Sequence, residues 1–506
     1  MKAEAILTRK YREQMLKDAY RPAYHFAICD DYGVPGDSNG AFYANGVYHI
    51  MYLYKNSETE AFHWGHMTSI DLLHWRHHPD ALTTFEGDRG CYSGGGFVDE
   101  DGTAYLSFWK FPSRDSKKDR GGIAISYSKP PYDVWERMEP IAVESKFSRG
   151  ITELEVNGEK VYVGSADPSN IWKMNGKYYM QTGNKPLLNY FGRGPQAIRK
   201  YMGDWTDLFR SDDLKSWEYV GRFYENHKMG IDDWPDETED DMCPSFLPLY
   251  DAEENGKFTG KYLQLFISHN KGCQYYIGTL DGEVFVPEQH GRMTWAEDGA
   301  YFAPEALVDG KNRQIMWTWL RDNLDNDFVR FGWSGVFGVP RNVWYADGEL
   351  KMAPVKELDA LQYDHIAYSK ADGDTVKVGD GELCRIKGTW SGKEKAGVSV
   401  RVSDDGSEFV EIYYSPEEKK LVVDTTNCGV EGWRGKEKAP FELREGETLS
   451  LDVLIDKSVI EVYANNRQAI CRRAYHAHPE NSKGVKLIGE APKTLDTYRM
   501  FPSNPY

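Results

Sequence analysis

The sequence predicts an all-β protein, a five-bladed β-propeller followed by a C-terminal β-sandwich. Three observations predict it: 14% aromatic residues, a recurring turn glycine followed by an aromatic strand, and C-terminal strands that alternate apolar and polar residues. Aromatic residues favour pleated, half-buried surfaces. The length of 506 residues allows two domains, each with its own core.

The propeller is predicted from one pattern that recurs five times. A turn glycine precedes a strand in NGVYHIMY (45–52), DGTAYLSF (101–108), NGKYYMQT (175–182), TGKYLQLF (259–266) and DGKNRQIMW (309–317). Asn-Gly and Asp-Gly before alternating apolar residues are strong hairpin signals. The copies lie about 50 to 85 residues apart, which suits one four-stranded sheet per unit around a central funnel. A large sandwich with accidental turns is the alternative.

A second repeat supports the division into units. SIDLLHW (69–75) and SDDLKSW (211–217) share the pattern Ser-x-Asp-Leu-x-x-Trp. Each copy lies near the end of one of the units defined above. Two unrelated patterns with compatible spacing favour repeated sheets over a single irregular one.

The domain boundaries follow from turns and composition. We predict an N-terminal helical extension at 1–20, the propeller at 21–355, a linker at 356–366 and the sandwich at 367–506. The sandwich strands include EFVEIYYS, KLVVDTT, TLSLDVLID and VIEVYAN, which alternate apolar and polar residues between turns. No low-complexity segment separates the two domains, so we expect them to pack together rigidly.

Composition and charge exclude several classes of partner. The formal net charge of −18 argues against nucleic acids and anionic membranes, and it is compatible with a neutral substrate such as a sugar. Seven cysteines without a CxxC pair indicate reduced thiols, and the N-terminus lacks an apolar run of signal-peptide length. We therefore expect a cytoplasmic protein. The sequence leaves a homo-oligomer open.

Six segments carry a resemblance to a known family. They are YHFAICDDYGVPGDSNGAFYANGVYHIMYLY (24–54), WGHMTSIDLLHWRHHPDAL (64–82), YSGGGFVDEDG (92–102), YFAPEALVDGKNRQIMWTWL (301–320), FGWSGVFGVPRNVW (331–344) and LIDKSVIEVYANN (454–466). In this order they resemble glycoside hydrolase family 32, the invertase, levanase and inulinase family. The resemblance extends from residue 21 to the C-terminus.

The resemblance implies a retaining glycosidase. One carboxylate attacks the anomeric carbon, an acid protonates the leaving oxygen, and water then releases the sugar. Asp37 matches the family's nucleophile, and Asp167 matches the aspartate of its Arg-Asp-Pro motif, which stabilises the transition state. From the residues alone, Asp37 would be a turn aspartate that accepts backbone N–H groups, and Asp-Pro would be an ordinary turn dipeptide.

The general acid is where the sequence departs from the family. Relatives carry Glu directly before Cys-Pro, whereas this chain has Met242, which cannot donate a proton. Asp240 shares the facing of Met242 on a strand and could reach the funnel. Asp241 points the other way unless a bulge intervenes, and Glu239 is a third candidate. A solvated acidic loop is the alternative interpretation of DETEDDMCPSFLPL (236–249).

Three further departures concern sugar recognition. Ala166 replaces the family's Arg before Asp-Pro, Leu53 replaces the Gln of its Tyr-Gln-Tyr strand, and Gly36 replaces the Asn before the nucleophile. The replaced side chains hold sugar hydroxyls by hydrogen bonds. We therefore expect a rebuilt subsite −1 and a changed substrate, with a degenerate sugar binder as the alternative.

Seven further residues are predicted to bind substrate. They are Asn39, Trp64, His66, Tyr92, Ser93, Glu305 and Trp317. Trp64 could stack on a sugar face, or it could simply pack within a blade. Glu305 in YFAPEAL adds a carboxylate near the pocket and is a further candidate for the missing acid.

Metal and cofactor chemistry are not indicated. HWGHMTSIDLLHWRHH contains five histidines, but a strand would place His63 and His66 on opposite faces, and no His-Glu-x-x-His motif is present. We expect no metal and no cofactor. The sequence thus predicts a β-fructofuranosidase-type glycosidase that acts on a small oligosaccharide or fructoside. A transfructosylase and a carbohydrate-binding propeller without turnover are the alternatives.

Overall fold

The computed structural model describes residues 18–27, 35–56, 59–84, 88–112, 121–138, 140–145, 148–225, 234–296, 300–321, 333, 335–429 and 431–503. Strands dominate these ranges, so the all-β prediction is confirmed. The helix predicted at 1–20 lies outside the described residues except for 18–20, which are not helical, and Cys29 lies outside them as well. None of the helices in the described ranges is long and apolar enough to cross a membrane.

The first sheet contains two antiparallel meanders. Its ten strands are β1 (Pro35–Ala44), β2 (Val47–Lys55), β3 (Phe62–Ser69), β4 (Arg76–Leu82), β5 (Asp88–Cys91), β6 (Gly96–Val98), β7 (Ala104–Pro112), β8 (Gly122–Ser128), β9 (Glu136–Arg137) and β10 (Ala142–Val143). The path β1-β2-β3-β5-β7-β8-β10 connects them, and β4, β6 and β9 pair with β3, β7 and β8. The meanders join where Phe62 pairs with Gly90 in parallel.

Four further sheets precede residue 355. A ribbon holds β11 (Ile151–Val156) and β12 (Glu159–Gly164), and a five-stranded sheet holds β13 (Ala166–Pro168), β14 (Trp172–Met174), β15 (Lys177–Gly183), β16 (Trp205–Ser211) and β17 (Trp217–Glu225). A four-stranded sheet holds β18 (Met242–Tyr250), β19 (Phe258–Ser268), β20 (Gly272–Asp281) and β21 (Val284–Arg292). The last contains β22 (Tyr301–Val308), β23 (Gln314–Leu320), β24 (Val336–Phe337), β25 (Arg341–Ala346) and β26 (Glu349–Pro354).

Two sheets form the C-terminal domain, in the orders β27-β37-β28-β33-β34-β35 and β32-β31-β30-β29-β36. Their strands are β27 (Gln362–Ala367), β28 (Leu383–Trp390), β29 (Ala396–Ser403), β30 (Val410–Ser415), β31 (Lys420–Asp424), β32 (Lys436–Pro440), β33 (Leu449–Asp456), β34 (Val459–Ala464), β35 (Gln468–Arg473), β36 (Ser482–Gly489) and β37 (Thr494–Met500). The four sandwich segments quoted from the sequence contain β30, β31, β33 and β34. The predicted linker at 356–366 holds a 3₁₀ turn and most of β27, and the domain boundaries stay predictions.

The helical segments of the described chain are short. They are Lys185–Leu187, Leu188–Gly192 and Arg199–Tyr201 between β15 and β16, and Lys356–Leu361, Lys370–Asp372 and Pro479–Asn481 in or near the C-terminal domain. The first group interrupts a sheet, and it contributes to the site described below.

Strands of the first sheet and of three later sheets contact one another in a closed ring, in which β6 and β7 are joined by pairing within the first sheet. β22 contacts β1, β1 contacts β6, β7 contacts β13, β13 contacts β18, and β18 contacts β22. This ring surrounds the axis toward which a propeller directs its innermost side chains. The five-blade count stays a prediction, which this ring supports.

Four of the five predicted glycine turns connect strands as expected. Asn45 and Gly46 between β1 and β2 have φ of 53° and 82°, the pair of left-handed conformations that a tight hairpin requires. Gly260 behaves differently, because it lies inside β19 with φ of 79°, where the pairing with β18 shifts register. Glycine tolerates this conformation without strain, so its presence indicates a bulge there rather than a turn.

The Ser-x-Asp-Leu repeat forms the same turn twice, between β3 and β4 and between β16 and β17. The backbone N–H groups two and three residues on donate to Asp71 Oδ1 at 3.0 and 2.9 Å, and to Asp213 Oδ1 at 2.9 and 2.8 Å. The leucine after each aspartate, Leu72 or Leu214, has φ of 64° or 62°. The repeat therefore records turn chemistry, in which a short carboxylate replaces the next hydrogen bonds of the ladder.

A single apolar cluster joins the propeller to the sandwich. It contains Trp317 and Phe337 from the sheet of β22–β26 together with Leu454 and Tyr463 from the sandwich, all at most 1% exposed. Burial of such side chains contributes about 1.5–3 kcal/mol each. This shared core fits the expectation of two domains that pack together rigidly.

A buried polar cluster anchors the N-terminal segment to the sandwich. Asp456 at the end of β33 accepts the backbone N–H groups of Ala23, Tyr24 and His25 at 2.6, 2.8 and 2.7 Å. The Nδ1 atom of His25 lies 2.9 Å from Asp456 Oδ2, and its Nε2 atom lies 3.3 Å from Glu461 Oε1. Although burial lowers the pKa of His25, the hydrogen bonds to these two carboxylates outweigh it and raise the pKa to about 9.

This cluster predicts a loss of stability in mildly alkaline solution. Because the folded-state pKa of His25 lies above the ordinary value of 6.5, its contribution is complete below pH 6.5 and is lost as the pH rises to about 9. We expect the free energy of unfolding to fall by roughly 3 kcal/mol over this interval. Denaturant titrations of the wild type at pH 6.5 and 9.5 measure it, and His25→Gln should show a flatter dependence. An equal pH dependence in both proteins would contradict the assignment to His25.

Candidate active site

A cavity of about 500 Å³ opens where β1, β13 and β18 begin. It is lined by Asp37, Tyr92, Ser93, Trp109, Ser148, Arg149, Asp167, Lys185, Pro186, Asn189, Tyr190, Met242 and His269. The lining combines carboxylates, cations and aromatic rings, and its volume is that of a small-molecule site.

Asp37 is half-buried near the start of β1. The β1–β2 register shifts between Pro35 and Ser38, so the aspartate falls in an irregular part of the ladder. Ser93 Oγ donates a short hydrogen bond to Asp37 Oδ2. The carboxylate contacts the side chains of Ser93 and Cys243, which come from distant parts of the chain, instead of backbone groups of its own turn. That arrangement differs from a turn-capping aspartate and leaves the carboxylate at the cavity wall.

Asp167 and Cys243 occupy equivalent strained positions in β13 and β18. Both precede a proline, and they have φ of 40° and 48°. Such a conformation is costly for residues other than glycine and is typical of functional sites. The Cys243 thiol lies 3.5 Å from Asp167 Oδ2 and 3.7 Å from Asp37 Oδ2, so both carboxylates meet at one sulfur atom.

The two carboxylates titrate differently. Burial raises the pKa of Asp167 to about 7, and the negative charge of Asp37 adds to the effect. Burial also raises the pKa of Asp37, but the hydrogen bond from Ser93 and the charge of His269 oppose it. Asp167 therefore has the pKa that is raised to about 7, whereas Asp37 receives the hydrogen bond and the charge that favour its ionised form.

Asp240 and Met242 occupy one face of the chain that leads into β18. Met242 lines the cavity, whereas Asp240 is fully buried behind it. The Asp240 Oδ2 atom lies 2.7 Å from His269 Nδ1, and His269 itself lines the cavity. Asp240, which we predicted to face the funnel, therefore contacts a histidine of the cavity wall and does not line the cavity itself.

Asp241 faces a different, enclosed network. Its side chain accepts a short hydrogen bond from Tyr224 OH and lies 3.4 Å from Gln264 Nε2. Burial raises the pKa of Asp241 well above its usual range. Glu239 also turns away from the cavity and accepts a hydrogen bond from Gln274 Nε2 at 2.9 Å.

Five of the predicted substrate-binding residues lie outside the cavity lining. Trp64 and Trp317 are buried in the core, where their rings pack edge-on against Phe108 and Trp75. His66 is completely buried and hydrogen-bonds to His49. These side chains are therefore placed for packing within the core.

Asn39 and Glu305 support the ring instead of lining the cavity. Asn39 Nδ2 donates to the Asp37 backbone carbonyl at 3.0 Å, and its Oδ1 accepts from Gly94 N at 3.1 Å. Glu305 Oε1 accepts from Ala41 N at 2.9 Å, and burial raises the pKa of Glu305 well above its usual range. Among the predicted residues, Asp37, Asp167, Tyr92 and Ser93 are the ones that line the cavity.

Sequence reasoning missed most of the outer rim. Lys185, Pro186, Asn189 and Tyr190 come from the short helical segments after β15, for which the sequence has no periodic signal. Burial lowers the pKa of Lys185, while the charges of Asp240 and Asp167 oppose the shift. A lysine at this position lies close enough to the carboxylates to balance part of their charge.

The three positions at which the sequence departs from the family's sugar-recognition pattern lie outside the cavity lining. Ala166 is completely buried in a cluster with Met242 and Cys243, directly beside the two aspartates. Leu53 is 7% exposed and lies 3.5–3.6 Å from where a Cβ atom on Gly36 would be. These three positions therefore offer no hydrogen-bonding side chain to a sugar.

The described residues contain no group of three or more His, Cys, Asp or Glu side chains suited to holding a metal ion. The histidines near residues 63–78 have local partners instead: Asp80 for His63, Asp71 for His74 and Asp133 for His78, at 3.1, 2.8 and 2.8 Å.

Comparison with known proteins identifies the family. The N-terminal domain of glycosyl hydrolases family 32 matches residues 31–354, and the C-terminal domain of that family matches residues 355–499. The chain belongs to glycosyl hydrolase family 32. It is therefore a glycosidase, an enzyme that hydrolyses O-glycosyl bonds, and the resemblance inferred from the sequence is confirmed.

Relatives of this family 32 chain are remote in sequence and similar in fold. The levanase of Bacillus subtilis (strain 168) is 24% identical over 92% of this chain and 68% of its own length. The fructan 6-exohydrolase of Beta vulgaris is 26% identical over 78% of this chain and 63% of its own length. The crystal structure of fructan 1-exohydrolase IIa from Cichorium intybus, 19% identical, superposes with a TM-score of 0.76 over 96% of this chain and 98% of that one. The propeller-plus-sandwich fold is thus confirmed.

Proposed function

We propose that this chain is a β-fructofuranosidase-type hydrolase that cleaves fructosides by a retaining double displacement. Asp37 is the nucleophile, and Asp167 stabilises the oxocarbenium-like transition state. The observation that carries the proposal is the meeting of the Asp37 and Asp167 carboxylates at the Cys243 thiol on the wall of a 500 Å³ cavity. Such a cavity accommodates one or two sugar rings.

The electrostatics of the pair support the division of roles. A nucleophile has to be ionised, and Asp37 receives a hydrogen bond from Ser93 and the favourable charge of His269. A carboxylate beside the anomeric carbon also stabilises positive charge as it develops in a site that excludes water. When a cationic transition state forms, the pKa of Asp167 falls, and the group supplies the second negative charge.

The sugar class follows from the relatives and from the cavity. The relatives named above are a levanase and fructan exohydrolases, which points to β-linked fructosyl residues as the substrate. Ala166, Leu53 and Gly36 offer no hydrogen bonds to hydroxyls. We propose that subsite −1 is altered accordingly and that a related furanoside with fewer contacts on that side is also accepted.

A sugar-binding function without turnover is the second candidate. Met242 favours it, because it occupies the position of the family's acid and lines the cavity without a proton to donate. Binding would then rest on Tyr92, Trp109 and the polar rim, and the carboxylates would only hold hydroxyls.

Hydrolysis of a panel of fructosides tests the proposal. We expect the protein to release fructose from levan, inulin or sucrose, with β-fructofuranose as the first product seen by time-resolved NMR, because double displacement retains configuration. Release of the opposite anomer would overturn the retaining mechanism. Saturable binding of these sugars in calorimetry without any release would favour the binding function. Transfer of fructose to a second sugar, in place of water, would identify a transfructosylase.

We also propose a cytoplasmic location. The six described cysteines are buried free thiols, and unpaired thiols of this kind are typical of reducing compartments. Fractionation of the source cells with an antibody against the chain would test it, and recovery outside the cytoplasm would contradict it.

A further inference from the structure

We propose that His269 is the acid/base catalyst of this chain and that Asp240 is its positioning residue. The inference rests on the proposed function, because it supplies the proton donor that a fructosidase with Met242 in the acid slot lacks. It goes beyond the family resemblance, which places the acid on β18 itself.

The strand register places His269 beside Met242, which occupies the position of the family's acid. Met242 at the start of β18 pairs with Ile267 near the end of β19. Asp240, two residues before Met242, lies opposite His269, which comes two residues after Ile267. The His269 backbone N–H donates to Asp240 Oδ1 at 3.3 Å. Because side chains alternate, Asp240 shares the facing of Met242 and His269 shares that of Ile267. The histidine therefore lies one step beyond the place where relatives carry the acid.

The orientation of the imidazole follows from unequal burial. The Nδ1 atom lies 2.7 Å from Asp240 Oδ2, and the Asp240 side chain is 0% exposed, whereas that of His269 is 35% exposed and lines the cavity. The Nδ1 edge therefore faces the protein and the Nε2 edge faces the cavity. No hydrogen-bond partner is recorded for Nε2 among the residues that the structure describes. This is the arrangement in which a carboxylate fixes a histidine for proton transfer at its other nitrogen.

The surroundings hold this pair in place. The Phe302 ring packs edge-on against the imidazole, with centroids 5.5 Å apart, and Arg193 Nη2 lies 3.8 Å from Asp240 Oδ1. Asp37 faces the same space, since the charge of His269 acts on its carboxylate, and Lys185 lies on the rim near Asp240. The imidazole thus lies between two carboxylates, Asp240 behind it and Asp37 on the cavity side.

Three other acids of this region, Asp240, Asp241 and Glu305, do not line the cavity. Asp241 is enclosed by Tyr224 and Gln264, and Glu305 is tied to the ring backbone. Asp240 itself is fully buried and reaches the cavity only through the histidine. Asp167 does line the cavity, and the experiment below has to distinguish it from His269.

In the proposed double displacement, His269 acts first as the acid and then as the base. The Asp37 carboxylate forms a bond to the anomeric carbon while the glycosidic C–O bond breaks, and the imidazolium Nε2–H proton passes to the leaving oxygen. Neutral imidazole then takes a proton from water as the water oxygen bonds to the anomeric carbon. The Asp37 ester bond breaks, the carboxylate is restored, and His269 again carries its proton.

Leaving-group dependence of the His269→Gln variant tests the assignment. On sucrose, whose leaving group needs a proton, we expect kcat/KM to fall about 10²- to 10⁴-fold. On a 4-nitrophenyl β-fructofuranoside, whose leaving group needs none, we expect a loss of less than about tenfold. On the aryl fructoside, azide, which attacks the fructosyl ester without a base, should raise the turnover of the variant and yield fructosyl azide. A loss that is equal on both substrates, or no loss on sucrose, would overturn the proposal.

Two aspartate variants separate positioning from a structural role. Asp240→Asn should lower kcat on sucrose about tenfold or more and leave the rate on the 4-nitrophenyl fructoside nearly unchanged, because the imidazole is no longer fixed in the orientation that proton transfer to the leaving oxygen requires. Asp241→Asn should affect both substrates alike, and it should damage activity on sucrose less than Asp240→Asn. An equal loss on both substrates in Asp240→Asn, or the reverse order of damage, would contradict the role of Asp240.

Two controls complete the design. His365→Gln removes an exposed histidine that lies 2.7 Å from Asp496 in the sandwich, and it should retain wild-type rates on both substrates. If Asp167→Asn, rather than His269→Gln, loses activity only on sucrose, Asp167 is the acid and the proposal is wrong. If the wild type cleaves neither substrate, the proposed function fails and this inference with it, whereas a cleaving wild type and an equally active His269→Gln overturn the inference alone.

Discussion

Asp37→Asn should lower kcat on every fructoside that the wild type cleaves by about 10⁴-fold or more, the scale of loss seen when a catalytic nucleophile is removed. An amide cannot form the ester that the two-step reaction requires. Asn is nearly isosteric with Asp, and its oxygen can still accept the hydrogen bond from Ser93. We therefore expect an unchanged melting temperature and retained binding of substrate, so that the loss appears in kcat.

The measurement is single-turnover and steady-state kinetics on sucrose and on an aryl fructoside. Unlike His269→Gln, Asp37→Asn should lose activity on both substrates to the same extent, because attack on the anomeric carbon is required whatever the leaving group is. Asp133→Asn is the matched control, since this aspartate pairs with His78 away from the cavity and is 41% exposed. Wild-type turnover in Asp37→Asn would show that the nucleophile is assigned wrongly.

Asp456→Ala should lower the free energy of unfolding by about 3–5 kcal/mol, the cost of breaking a buried charge pair by removing one partner. The variant leaves three backbone N–H groups, those of Ala23, Tyr24 and His25, without their acceptor. It also leaves the protonated His25 side chain with Glu461 as its remaining carboxylate partner. Because the anchored segment packs against both domains, the loss should affect the propeller as well as the sandwich.

Guanidinium titrations followed by tryptophan fluorescence and by circular dichroism would measure this, and two probes are needed because the chain has two domains. Asp456→Asn keeps one acceptor oxygen and should lose less. Asp496→Ala removes a partly exposed aspartate that pairs with His365, and it should change stability by less than about 1 kcal/mol. A similar small loss in Asp456→Ala would show that the buried cluster contributes little.

Local sequence determined much of the fold. The Asn-Gly at 45–46 requires left-handed backbone, and the Ser-x-Asp-Leu repeats form the same turn twice, so both patterns report structure within a few residues. The resemblance to family 32 depended on short motifs of the same kind, and the two aspartates that it singled out, Asp37 and Asp167, line one cavity. These signals are reliable because their physical cause lies in the chain segment itself.

The composition of the cavity was decided by tertiary structure alone. Alternation along a strand tells which residues share a face, but in stacked sheets both faces are buried. Trp64, Trp317 and His66 are therefore buried in the core, although we predicted from their segments that they bind substrate. His269 reached the cavity because β19 pairs with β18 in one particular register, which no property of its own segment specifies. The sequence motifs thus predicted the strands, the turns and the two aspartates of the cavity. The other residues that line the cavity were fixed by contacts between distant segments of the chain.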